Sequence, residues 1–99
     1  MTGTTVDSDP LPNDAERRAL CELLAAALVE IRSVAGGGHT GVDAVQAHDL
    51  AYAFHNLPRE MYGWGAWSIA GFRGRLVHYQ RKYPGGTDFV KMLDKISGR

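Results

Sequence analysis

The residues able to do chemistry are few, and their spacing is poor for it. The chain holds four histidines, His39, His48, His55 and His78. Imidazoles bind metals and shuttle protons. On a helix, His48 and His55 would stand about 10 Å apart along the axis. Helical metal pairs are spaced by three or four, so a site here would have to recruit His39 or His78 from elsewhere. His48 and Asp49 are neighbours and diverge by about 100° on a helix, which gives no acid–base dyad. Cys21 lies between Leu20 and Glu22, with only Arg17 or Arg18 a turn earlier to stabilise a thiolate. It reads as a small core or boundary residue. No Ser-His-Asp arrangement follows from spacing, and paired carboxylates are scarce in the half that carries the aromatics. The expectation is a non-enzyme with no catalytic residue, no metal and no cofactor.

Gly36-Gly37-Gly38 invites a phosphate-loop reading. No strand precedes it and no Gly-Lys-Ser/Thr follows, so a connector is the better account.

What remains is binding chemistry. Residues 59–67 read Arg-Glu-Met-Tyr-Gly-Trp-Gly-Ala-Trp, with Tyr62, Trp64 and Trp67 inside six positions. Structurally, the tryptophans would lid a small core. Functionally, Trp, Tyr, Met and Arg are the types enriched at interface hot spots. With a helix over 40–57, His48, Tyr52, His55, Asn56 and Asp49 share one polar-aromatic side. The candidate partner-binding set is His48, Tyr52, His55, Arg59, Tyr62, Trp64 and Trp67. The alternative is nucleic-acid binding, in which Arg73, Arg75, Arg81, Lys82, Lys91 and Lys95 contact phosphates and aromatics stack on bases. A sequence pI of about 6.9 falls well short of the strongly basic footprint such binding favours.

Bulk composition narrows the class. The chain has 99 residues, 44% apolar and 22% charged, with eleven basic and eleven acidic side chains. That excludes a disordered tail, a uniformly basic coat, a collagenous repeat and, with one cysteine, a disulfide scaffold. The charge is unevenly spread. Residues 1–60 carry four basic and nine acidic groups, and residues 61–99 carry seven and two. Either the halves pack together and neutralise one another, or the surface is bipolar and steers a charged partner. No apolar run approaches a membrane span, and the start shows no secretory pattern. A reducing cytoplasm fits the single cysteine.

The elements that must position these residues are helices. Residues 1–12 read as a flexible leader, and residues 13–99 as one domain. Helix one starts at Asn13, which with Glu16 forms a capping box. Leu20, Leu24, Ala27, Ile31 and Val34 form its seam, widened by Leu23 and Leu28. The triple glycine ends it. Its length also suits a homodimer through that helix. Helix two runs from Thr40 or Gly41 to Leu57, burying Ala47, Leu50, Ala51, Phe54 and Leu57, and stops at Pro58. Helix three spans 68–83, with Ile69, Phe72, Leu76, Tyr79 and Tyr83 stepping by three and four. A short last helix begins at Thr87 or Asp88, with Phe89, Leu93 and Ile96 inward. No segment alternates long enough for a strand. The architecture is all-α: a small bundle of three main helices plus a short C-terminal helix.

The segments Asp49-Leu50-Ala51-Tyr52-Ala53-Phe54-His55-Asn56-Leu57-Pro58 and Tyr79-Gln80-Arg81-Lys82-Tyr83-Pro84, with the leucine-rich first helix, resemble those of a group of small, uncharacterised bacterial helical proteins. The resemblance covers most of residues 15–96. It implies a bacterial, soluble, helical protein and transfers no catalytic residue. The function expected is a small protein-binding module, such as an adaptor, an inhibitor or an immunity-type or antitoxin-type protein.

Overall fold

The computed structural model describes residues 9–37 and 41–96, with side chains at 9–34 and 44–96. Five helices follow one another: α1 (Asp14–Gly37), α2 (Gly41–Phe54), α3 (Leu57–Glu60), α4 (Ile69–Lys82) and α5 (Phe89–Ile96). No strand occurs among the described residues. This is the expected all-α bundle of three main helices and a short last one, with a single extra turn, α3, between α2 and α4. No described helix is long and apolar enough to cross a membrane.

Local signals set most boundaries. The Asn13 side chain accepts from the Glu16 amide and the Glu16 carboxylate accepts from the Asn13 amide, both at 2.8 Å, which closes the capping box. Arg17 adds a bond to the Pro12 carbonyl and an ion pair with Asp14. Ser68 caps α4 by accepting from the Gly71 amide. Asp88 does the same for α5 through Lys91. Thr40, one of two expected starts for α2, lies outside the described residues.

Pro58 behaves otherwise than expected. Helix α2 ends at Phe54, three residues early, and Pro58 sits in the first turn of α3 rather than terminating a helix. A proline lacks the N–H that a first turn leaves unpaired, so the same residue suits a start as well as a stop. The inner face of α2 runs through Leu50, Ala53 and Phe54 and continues to Leu57 of α3. Ala53 is buried and Ala51 exposed, the reverse of the sequence expectation for Ala51.

The core gathers Leu20, Leu23 and Ala27 of α1, Leu50, Ala53 and Phe54 of α2, and Leu57 of α3. Phe72, Leu76 and Tyr79 of α4 join Phe89 and Leu93 of α5 around them, with Met61 and Trp67 between. Phe54 is the hub: its ring meets Phe72 and Phe89 edge-on at 5.4 and 5.3 Å. Leu28, expected inside, is exposed. Cys21 is exposed too, not a core or boundary residue.

Residues 9–12 are not a loose leader. The Asp9 amide donates to the Trp67 carbonyl at 2.7 Å, and the Asp9 carboxylate accepts from the Ile69 amide at 2.7 Å. Pro12 is buried and Leu11 packs on Gly63. This strap closes the amino end of α4, whose first N–H groups have no partner within the helix. Residues 1–8 lie outside the described part.

Candidate functional site

A groove of about 490 Å³ runs between α2 and α4. Its floor is set by two glycines of α4, Gly71 and Gly74. A Cβ built on Gly74 would meet no atom within 4 Å, so that side of the helix opens onto free space. Tyr52 and Ala53 form the α2 wall. Arg75, His78, Lys82 and Tyr83 line the α4 side, with Asp49 at one end.

Tyr52 is 62% exposed and borders a second, shallower hollow lined also by His48, Ala51 and His55. Its ring stacks on His55 at 5.3 Å between centroids and 29° between planes. The His55 Nδ1 lies 2.8 Å from the Tyr52 carbonyl, which fixes the pair at the carboxyl end of α2. His48, Tyr52 and His55 therefore form one continuous face, as their spacing predicts.

The rest of the expected contact set does not join them as a block. Arg59 lies on α3, and its carbonyl accepts from the Trp64 amide at 2.8 Å. Tyr62 lies under the Arg17 guanidinium, 5.1 Å from the ring centre. Trp64 is 80% exposed, on a turn that Gly63 makes at φ 84°. Trp67 is 3% exposed and packs against Phe72. Trp67 is thus removed from the contact set: its indole belongs to the core, and only Trp64 is presented.

The end of the groove is an electrostatic latch. The Asp49 carboxylate accepts from the Tyr83 hydroxyl at 2.7 Å and from the Lys82 ammonium at 2.9 Å. Those bonds, Tyr83's first and Lys82's second, hold the Asp49 carboxyl down at about 2. The same contact pushes the Lys82 and Tyr83 pKa values up. His48 approaches Asp49 at 3.7 Å, closer than the sequence reading allows, though beyond a hydrogen bond. Behind the groove, the Tyr79 hydroxyl donates to Glu30 of α1 at 3.0 Å and accepts from Gln46 at 3.1 Å. Burial, with the Glu30 charge adding to it, pushes the Tyr79 phenol up to about 12. Glu30 also accepts from the Thr87 amide, and a Cβ on Gly86 would stand 2.9 Å from its carboxylate.

The basic residues of the alternative reading divide into two groups. Arg73 is bidentate to Asp94, at 2.9 and 3.1 Å. Arg75 bonds Glu60 at 3.0 Å and lies over the Phe72 ring. Lys82 is held by Asp49. Arg81, Lys91 and Lys95 are exposed. The pairs Arg75–Glu60 and Lys82–Asp49 join the acidic and basic halves, so part of the charge asymmetry is neutralised across the seam.

No three metal-ligating side chains cluster among the described residues; His39 lies outside them. Sequence reasoning missed the groove itself. Gly71, Gly74, Arg75, His78 and Lys82 recur at helical spacing on a second face of α4, and that pattern was the available signal. No protein-family model, curated protein or solved structure matches the chain.

Proposed function

We propose that this domain is a protein-binding module whose contact surface is the α2–α4 groove and the aromatic face beside it. The observation that carries this reading is the placement of Tyr52. It is a large, exposed aromatic ring, fixed by stacking on His55, and it borders both hollows. Rigid aromatic anchors at the rim of a concave surface are the usual source of interface binding energy. Trp64, held by backbone bonds on an ordered turn, extends the same chemistry.

An adaptor, inhibitor or immunity-type role in a bacterial cytoplasm is the finer form of this proposal. It rests on the resemblance and on the unpaired cysteine, not on the groove. The nucleic-acid alternative draws less support, because Arg73, Arg75 and Lys82 are engaged by carboxylates of the same chain.

The test starts from a photoreactive residue at position 52, which captures the partner in the native cell. The purified partner is then titrated against variants. Tyr52→Ala is expected to weaken binding roughly tenfold or more. Affinity unchanged in Tyr52→Ala, His55→Ala and Trp64→Ala alike would discard this surface.

A further inference from the structure

Helix α1 carries an apolar patch that its own domain leaves uncovered. Ala25, Leu28 and Val29 are exposed beside Cys21, with Leu28 at 57% and Val29 at 69%. Exposed Glu22 stands before this patch and exposed Arg32 after it. At 3.6 residues per turn, Glu22, Ala25, Val29 and Arg32 fall within an arc of about 80°, so they share one face. Among the described residues neither Glu22 nor Arg32 enters an ion pair.

The arrangement is self-complementary in one direction only. Glu22 and Arg32 are equally distant from position 27, and so are Ala25 and Val29. A second α1 laid antiparallel about that point sets Glu22 beside Arg32 of the second copy, twice. It also sets each Val29 beside the small Ala25 of the other chain. Arg18, exposed one turn before Glu22, then falls near the carboxyl end of the second α1. That end has no basic residue in its last turn, and a cation there offsets the negative pole of the helix. Parallel packing instead places Glu22 on Glu22 and Arg32 on Arg32. An antiparallel pairing centred two residues earlier places Arg18 on Arg32. Both juxtapose like charges.

We infer that the outer face of α1 is a homodimer seam, in which two copies pair antiparallel about position 27 through Ala25, Leu28 and Val29, with reciprocal Glu22–Arg32 ion pairs. The pairing is isologous and closed, the commonest symmetry of soluble homo-oligomers. No α1 residue lines the α2–α4 groove, so the two surfaces do not compete. A seam of one exposed helix face is small, and the dimer is correspondingly weak and salt-sensitive.

Sedimentation of the full chain over a concentration series tests it, with circular dichroism verifying that each variant stays helical. The native chain is expected to show a monomer–dimer equilibrium that weakens with salt. Glu22→Arg and Arg32→Glu should each weaken dimerisation by roughly tenfold or more. The combined exchange Glu22→Arg/Arg32→Glu should restore it, and Val29→Asp should abolish it. A chain that is monomeric at every concentration overturns the inference. So does a dimer indifferent to either single reversal, or a double exchange that fails to restore association.

Discussion

The hydroxyl of Tyr83 donates to the carboxylate of Asp49 at 2.7 Å, across thirty-four positions of chain. Lys82 shares the same carboxylate oxygen. The contact joins the first residue of the segment 49–58 to the segment 79–84. Two stretches of sequence far apart in the chain are therefore two sides of one latch.

That latch has an acid limit. The folded state holds Asp49 at about 2 against an ordinary 3.8. A carboxyl depressed by folding contributes stability above its unfolded pKa and loses it as pH falls through the folded one. Asp94, lowered by Arg73, and Asp88, lowered first by the Lys91 amide, act in the same sense. Stability measured by chemical denaturation should fall steeply from pH 4 toward pH 2. Asp49→Asn should be less stable at pH 7 and show a shallower decline over that range.

An alkaline limit comes from Tyr79. Its folded value of about 12 exceeds the ordinary 10, chiefly through burial. The neutral phenol is the form the fold prefers, so its contribution is complete below pH 10 and disappears as pH rises toward 12. Tyr79→Phe should cost about 1 kcal/mol at neutral pH, because Glu30 and Gln46 lose a shared partner. The same variant should lose less stability between pH 10 and 12, and its ultraviolet phenolate titration should lack the latest step.

The tryptophans separate core from surface. Trp67→Ala should destabilise by about 3–5 kcal/mol, the cost of emptying a large buried site. Trp64→Ala should stay within about 0.5 kcal/mol, as for an exposed side chain away from special features. Equal thermal melts for the two variants would contradict the assignment.

Two glycines give opposite signs. Gly63 sits at φ 84°, and an added Cβ would press Leu11 at 3.1 Å, so Gly63→Ala should cost about 1–2 kcal/mol. Gly74 lies inside α4 with open space before it, so Gly74→Ala should gain about 0.5–1 kcal/mol. The gain comes at the floor of the groove. A partner seated there would bind Gly74→Ala more weakly although the domain itself melts higher.

Salt dependence separates the two binding readings. Titration of the chain onto random duplex DNA should show no affinity at physiological ionic strength, with three of the six candidate cations already paired. Measurable binding with a steep salt slope would favour the nucleic-acid reading.

Helix ends were legible wherever the signal was local. Asn13 with Glu16 and Ser68 needed only their neighbours to be read. Pro58 was ambiguous in principle, since a proline ends one helix as readily as it opens another. Ala51 and Ala53 exchanged places because the buried stripe steps through Leu50, Ala53, Phe54 and Leu57, which turns Ala51 outward, and two alanines so close in sequence carry no size or polarity signal to tell them apart. Trp64 and Trp67 could not be told apart in sequence: glycine spacing erases the period that would assign a face. The strap was invisible because Asp9 and its partner Ile69 are sixty residues apart. Of the candidate site, the His48–Tyr52–His55 face followed from periodicity. The groove did not, because its floor is defined by side chains that glycine lacks.

The strap ties the fate of one helix to residues far upstream of it. The Ile69 amide is bonded to the Asp9 carboxylate, so its exchange with deuterated solvent should report each lifting of residues 9–12 from the body. Trimming the chain to begin at Asn13 would cost the first helix only the Arg17 bond to the Pro12 carbonyl, and would leave the Ile69 amide of the fourth without its Asp9 acceptor. Damage at the start of the molecule would then surface as loosening beside Trp67 and the groove floor.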